Sequence, residues 1–414
     1  MGLIKAMKRR ILLLSLLLFG SFVICSAMEQ ETKNTSDDTP IISLLTCGPT
    51  DDYVFYLYGH TALRVQYRDT DLVYNYGYFS LEQKNFILNF ILGKPMYSVG
   101  TTTFEDFLYE YHLQGRSVIE QDLLLLPDEA KQLLEMLEWN VLPENRDYMY
   151  NFYFDNCATR PRDLIEKFTG GLDYRIKLEN MPTFREAIRN KSYTASWYTT
   201  GADCCLGWKS DERMSLKDAA FLPELLLQEF DHAYRVKDGQ KLVTNKRVWL
   251  EQTKEIGSGW WANFNFPLWT SIVIGLIYFG LYLVKYFKGK ALPLNILRRI
   301  LYVSISILGI IVWFLALFSQ HPHTFPNANM LLLHPLYILL LITMGKEKYN
   351  KTNNWLYFSN FVAIIIYLGL GYKQVLPIGV PFLAMIMAVD QLLHFLENKK
   401  LKKVIRAEIF RKNE

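Results

Sequence analysis

From residue 268 onward the chain repeats one pattern five times, an apolar run followed by a short polar loop. The runs are Leu268–Val284, Ile300–Phe318, Met330–Met344, Trp355–Tyr372 and Val375–Leu396. A helix needs about 20 largely apolar residues to cross a bilayer, so the third run, the shortest, requires flanking residues to complete it. The loops alternate in charge. Lys285–Arg299 carries five Lys or Arg, Gly345–Asn354 three and the segment from Glu397 seven, whereas Ser319–Asn329 carries none and the last turn only Lys373. This asymmetry puts the C-terminus in the cytoplasm and residues 28–267 outside.

The N-terminus agrees with export. Lys5, Lys8, Arg9 and Arg10 precede an apolar run from Ile11 to Ile24, and Ser26-Ala27 offers small residues for cleavage. The run is short for a spanning helix, so residues 1–27 read as a secretory signal peptide, with a retained anchor as the alternative. Cys25 suggests lipidation, but Ile24 is not the small residue such a site prefers. Residues 28–40 are a polar tether with nothing to bury. The net charge of +4 is too small for a nucleic-acid binder, and no nucleic-acid partner is expected.

Two polar features mark the membrane part. Asp390 and His394 stand four residues apart on one helical face, which is costly in lipid unless they meet other helices, so they read as an interhelical clamp near the inner surface. The outer loop Gln320–Asn329 brings His321, His323, Asn327 and Asn329 to the level of the lipid headgroups. Two readings stand: a rigid Pro-rich turn whose polar groups satisfy helix ends, or a headgroup-contacting surface. His321 and His323 lack a further ligand set, so no metal and no cofactor is expected.

The exported domain, residues 41–262, is mixed in pattern. Ile42–Leu45, Thr61–Tyr67, Leu72–Tyr78 and Ser117–Leu126 read as strands. Asp128–Trp139 reads as a helix preceded by Pro127, and Tyr148–Phe154 as a strand running into Asp155-Asn156-Cys157. Ala158–Phe168 is a second helix, stopped by Gly170-Gly171. Cys157 therefore sits at a strand-to-helix junction, where the helix dipole lowers a thiol's pKa and free N–H groups are available to an oxyanion. Such a nucleophile needs a base. His112 and His232 lie in polar, helix-like surroundings, which leaves His60, at the head of a strand, with Asn75 the first choice and Asn156 the second to orient its ring. The bland alternative is a buried cysteine and a packed histidine. Cys204 and Cys205 read as small apolar strand residues, and Cys47 is a candidate to pair with one of them.

Several stretches resemble one family. Leu44–Val65 (LLTCGPTDDYVFYLYGHTALRV), Val73–Phe79 (VYNYGYF), Asn85–Val99, Phe154–Glu166 (FDNCATRPRDLIE) and Phe221–Leu226 (FLPELL) are similar to the exported domain of the Lnb-type lipoprotein N-acyltransferases. The five-span part resembles that family's membrane domain. The resemblance implies an α+β, permuted papain-like (NlpC-type) domain followed by an all-α five-helix transmembrane domain and a basic cytoplasmic tail, residues 397–414. It also implies Cys157 as nucleophile, His60 as base, and residence in the inner membrane with the catalytic domain in the periplasm. The implied reaction moves an acyl chain from phospholipid, through a Cys157 thioester, to the α-amine of the N-terminal diacylglyceryl-cysteine of a lipoprotein. Arg64, Arg160 and Arg162 are candidates to meet phosphate, against the commoner use of Arg in salt bridges. The main rival is a periplasmic cysteine peptidase or amidase acting on cell-wall peptide. One departure is visible: the family usually has plain aliphatics where Cys204 and Cys205 stand.

Overall fold

The computed structural model describes residues 39–176, 181–257, 261–262 and 264–412, with side chains as far as Glu397. The proposed signal peptide and nearly all of the tether lie outside the described residues. The strands are β1 (Ile41–Cys47), β2 (His60–Tyr67), β3 (Thr70–Tyr78), β4 (Met96–Thr103), β5 (Val118–Leu123), β6 (Asp147–Met149), β7 (Leu172–Tyr174), β8 (Ala233–Arg235) and β9 (Val243–Leu250). All but β7 and β8 form one sheet in the order β6-β4-β3-β2-β1-β5-β9, with antiparallel neighbours throughout. β7 and β8 pair separately.

The helices of this domain are α1 (Phe86–Ile91), α2 (Phe104–Leu113), α3 (Pro127–Asn140), α4 (Thr159–Thr169), α5 (Phe184–Ser192), α6 (Ser196–Cys205), α7 (Leu216–Ala219) and α8 (Pro223–Asp231). They cover the sheet on both faces. Leu44, Leu63 and Tyr74 pack with Leu133 and Leu137 of α3 and Ile165 of α4. The alternate residues Leu45, Ala62 and Val73 pack with Phe104, Phe107 and Tyr111 of α2. The period of two sorts neighbours to opposite layers, which is why the central strands read as continuous apolar runs. The α3 start follows the expected rule: Pro127 opens it and Glu129 accepts from the Leu126 N–H at 2.9 Å.

Two expectations are corrected here. Cys204 and Cys205 end α6 and are not in a strand, and Cys47, Cys157, Cys204 and Cys205 are all free thiols. Cys47 is buried in β1 against α2, whereas Cys204 packs into the core of the membrane part, so the proposed pairing has no geometry to support it.

The membrane part comprises α9 (Phe266–Lys288), α10 (Leu292–Phe318), α11 (Tyr337–Thr343), α12 (Asn350–Gly369) and α13 (Val380–Lys412). Among the described residues four helices have membrane length and apolarity: α9, α10, the helix containing α12, and α13 through Glu397. The third apolar run does not become a fifth such helix. Pro335 cannot donate an N–H, and the chain is irregular before α11. Instead the segment descends antiparallel along α10. Trp313 Nε1 donates to the carbonyls of Met330 and Leu333 at 3.1 Å, Gly309 lies against the His334 backbone, and the Tyr302 and Tyr337 rings meet at 5.3 Å. Its residues Leu332, Leu333, Tyr337 and Leu340 are buried. Irregular backbone at membrane depth is tolerated where protein encloses it.

Arg298 is likewise no loop charge. It lies inside α10, 1% exposed, and its Nε donates to Asp390 at 2.6 Å. Tyr278 and Tyr302 donate their hydroxyls to the same carboxylate, so Asp390 ties α9, α10 and α13 together. His394, its sequence partner, stacks on Tyr357 at 4.7 Å instead. The basic segment after Glu397 continues α13 as helix to Lys412.

The exported domain is fastened to the membrane part at the end of α6. A helix leaves its last carbonyls without partners, and here those of residues 203–206 are supplied from both sides. Asn327 Nδ2 donates to Cys204 O and Cys205 O, Asn329 Nδ2 to Asp203 O and Cys204 O, and Gln374 Nε2 to Leu206 O, at 2.9–3.3 Å. Arg185 of α5, 1% exposed, adds bonds to the Leu206 and Gly207 carbonyls and ion pairs to Asp203 and Asp211. Gly207 permits the approach, because a Cβ there would lie 2.0 Å from the Pro326 carbonyl oxygen.

Candidate active site

His60 opens β2 directly after Gly59, whose φ of +79° and contact with the Cys47 carbonyl leave no room for a side chain. Pairing of Ala62 with Asn75 sets the register of β2 on β3 and puts His60 and Asn75 on one face. His60 Nε2 and Asn75 Oδ1 are 3.1 Å apart. The amide nitrogen of Asn75 turns to the Val73 carbonyl, so the amide oxygen faces the ring and His60 donates from Nε2–H. That tautomer leaves Nδ1 with an available lone pair.

The β2–β3 ladder ends at Ala62 and Asn75, β3 runs on past it through Gly77, and Cys157 lies over Gly77. A Cβ built on Gly77 would be 3.7 Å from that of Cys157. The Thr61 N–H and the N–H of Cys157 itself are close enough to favour a charge on the thiol. Cys157, Thr61, His60 and Asn75 are thus gathered at one end of the β2–β3 pair. Asn156 has a different task. Its Oδ1 accepts from the N–H groups of Ala158 and Thr159 at 2.8 and 2.9 Å, and its Nδ2 donates to the carbonyls of Phe152 and Phe221. It caps α4 and ties the Cys157 turn to the chain before α8.

This capping overturns one expectation. The first free N–H groups of α4 are spent on Asn156, and burial pushes the Cys157 thiol up to about 11 rather than toward thiolate, although the Thr61 and Cys157 N–H groups and the Arg116 charge act in the lowering direction. Burial, aided by Arg116, pushes His60 down to about 4, against the opposing effect of its bond to Asn75. The resting pair is a neutral thiol and a neutral imidazole. Arg116 escaped the sequence reading. It is 1% exposed, donates to the Gly48 carbonyl at 2.7 Å and to Gln114, lies over the Tyr56 and Tyr111 rings, and keeps one terminal nitrogen without a hydrogen-bond partner.

The other candidates lie elsewhere. His112 and His232 are exposed on helix ends, the latter with Nδ1 on the Gln228 carbonyl. Arg64 is buried between Glu120 and Asp71 with its guanidinium 3.5 Å from the Phe104 ring centre. Arg160 pairs with Asp155 above Tyr148, and Arg162 with Asp163 and the Lys217 carbonyl. All three serve internal contacts, which removes the case for phosphate binding. In the outer loop Asn327 and Asn329 cap α6, His321 Nε2 meets the Phe90 carbonyl at 2.6 Å, and His323 packs among Tyr153, Phe154 and Phe184. Of the two readings of this loop, the rigid turn satisfying helix ends describes its contacts, and those ends belong to the exported domain.

Rings form the surroundings of the thiol. Tyr97 and Tyr150 stack at 4.2 Å, both close enough for charge on Cys157 to act on them. Residues 29–190 match the family model of the Lnb N-terminal periplasmic domain, and residues 262–402 that of the Lnb transmembrane domain. No curated protein and no solved structure matches the chain.

Proposed function

The chain belongs to the Lnb family, as a multi-pass membrane protein with a periplasmic N-terminal domain, and on that premise we propose that it is a thiol acyltransferase that N-acylates lipoproteins. The observation that carries this reading is the gathering of Cys157, His60 and Asn75 at one end of the sheet, in a domain whose α6 is bonded to the outer loop of the membrane part. A cysteine at a helix start beside a histidine-bearing strand suits a papain-like arrangement. A peptidase or amidase of the cell wall would use the same three groups but would have no need of a multi-helix platform.

In the proposed reaction His60 Nδ1 takes the Cys157 proton as sulfur attacks the carbonyl carbon of a phospholipid acyl ester. The oxyanion forms near the Thr61 and Cys157 N–H groups. Collapse breaks the ester C–O bond, His60 returns the proton to the leaving alkoxide, and lysophospholipid departs from the thioester. The α-amine of a diacylglyceryl-cysteine then attacks the thioester. His60 accepts the amine proton and passes it to the departing Cys157 sulfur, regenerating the thiol and leaving an amide. A neutral resting pair suits this cycle, since the proton moves only when an electrophile arrives.

The test uses the whole protein in phospholipid vesicles with a synthetic diacylglyceryl peptide. Mass spectrometry should find one acyl chain added per peptide with matching lysophospholipid, and none with Cys157→Ala. Release of free fatty acid or cleaved peptide without acylated peptide would overturn the proposal.

A further inference from the structure

The exported domain carries an apolar face that its own core leaves uncovered. α1 exposes Ile87, Leu88 and Phe90, with relative exposures of 67%, 53% and 48%, and the turn at Val54–Tyr58 exposes Tyr53, Val54 and Phe55. The two pieces are continuous through Phe79, whose ring meets Phe55 at 5.5 Å and Phe86 at 5.6 Å. Contiguous apolar surface of this kind marks a binding or membrane site on a soluble domain.

A fastening at one edge and a shared cleft at the other set its height. At one edge Gln320 N–H donates to the Leu92 carbonyl at 2.9 Å, His321 meets the Phe90 carbonyl, and Gly93 is so close to residues 320–321 that a Cβ would lie 2.4 Å from the His321 nitrogen. Residues 320–321 follow the end of α10 at Phe318. At the other edge Val54 and Leu57 share a cleft with Trp261 and Phe266, the first residue of α9. Both edges therefore stand at the ends of membrane-length helices that lead into the exported domain. Trp and Tyr favour this depth.

A path of rings leads inward from the same face. Phe86 stacks on Phe79, Phe79 on Tyr97 at 5.0 Å, and Tyr97 on Tyr150, which is near enough to Cys157 to feel a charge on its sulfur. Phe79, Tyr97 and Tyr150 are only partly buried.

We infer that this face is immersed in the outer leaflet of the bilayer and that phospholipid acyl chains pass over it along the Phe79–Tyr97–Tyr150 rings to Cys157. The occupant is lipid because both edges of the face lie at the ends of spanning helices, where hydrocarbon is the adjoining phase. The route to Cys157 rests on the acyltransferase reading; the immersion does not.

The experiment replaces Leu88, and separately Phe55, with a photo-crosslinking amino acid in the full chain in phospholipid vesicles. Trp139, exposed on α3, is the control position. Illumination should give protein–phospholipid adducts at positions 88 and 55 and at least tenfold fewer at 139. Equal yields at all three positions, or adducts to another protein in place of lipid, overturn the immersion. In a second arm, Ile87→Asp with Leu88→Asp should cut acyl transfer from vesicle lipid at least tenfold while Cys157 keeps its rate of alkylation by a small soluble chloroacetamide, which reports an intact site. Unchanged transfer overturns the route. Lipid adducts in a wild-type protein that performs no acyl transfer would sink the enzyme assignment and leave the immersion standing.

Discussion

At the residue scale the candidate site is set by burial more than by helix polarity. Because the Cys157 thiol is held at about 11, its alkylation by chloroacetamide, followed on the Cys157 peptide by mass spectrometry, should keep rising with pH beyond 9 instead of levelling near 8.5. Arg116 acts on both partners in the lowering direction. Arg116→Gln should therefore slow Cys157 alkylation at pH 8 and move the His60 titration, read by NMR, upward. His60 also makes stability depend on pH. It is neutral in both folded and unfolded chains above 6.5; below that the unfolded chain takes up a proton that the folded chain refuses until about 4. Stability should fall through this window by about 3 kcal/mol, and His60→Gln should flatten that part of a thermal-melt series. Cys157, His60 and Asn75 could be chosen from sequence because a helix start and the scarcity of histidine narrow the field, although the strand expected over Tyr148–Phe154 ends at Met149 and turns, not a strand, lead into Cys157. Arg116 and the Thr61 N–H could not, since only the folded register brings them to the thiol.

At the scale of elements, the misread pieces share a cause: their conformation is decided by distant partners. α6 contains Gly201 and two cysteines, poor material for a helix by propensity. It is held as one by Arg185, Asn327, Asn329 and Gln374, which supply donors to its last carbonyls. The third apolar run has enough hydrophobicity for a span, but Pro335 interrupts it and α10 shelters the irregular stretch. Gly309 is the contact that permits this: a Cβ there would lie 2.7 Å from the His334 nitrogen. Gly309→Ala should lower stability by about 1–3 kcal/mol, seen as a reduced melting temperature in detergent, while Gly280→Ala on α9, with nothing within 4 Å, should not. By contrast, β1, β2, β3, α3 and α4 were legible, since each buries an unbroken periodic face.

At the scale of the whole molecule, loop charges were enough to separate an exported domain from a membrane part, but not to show that the two are bolted together. The polar residues of the outer loop turned out to face the exported domain. Asn329 is fully buried, and both its amide bonds go to α6 carbonyls. Asn329→Asp replaces these donors with a carboxylate facing carbonyl oxygens and should cost about 3 kcal/mol. Limited proteolysis should then cut near residues 206–214 faster than in the wild type, with acyl transfer falling in parallel.

The joint also has a consequence in time. The exported domain emerges before α10 and α11 are made, so the end of α6 lacks two of its donors until residues 327 and 329 have been synthesised and delivered across the bilayer. The domain reaches its final form only when the membrane part is nearly complete, so assembly itself delays the finished platform until a membrane surface is already beside it.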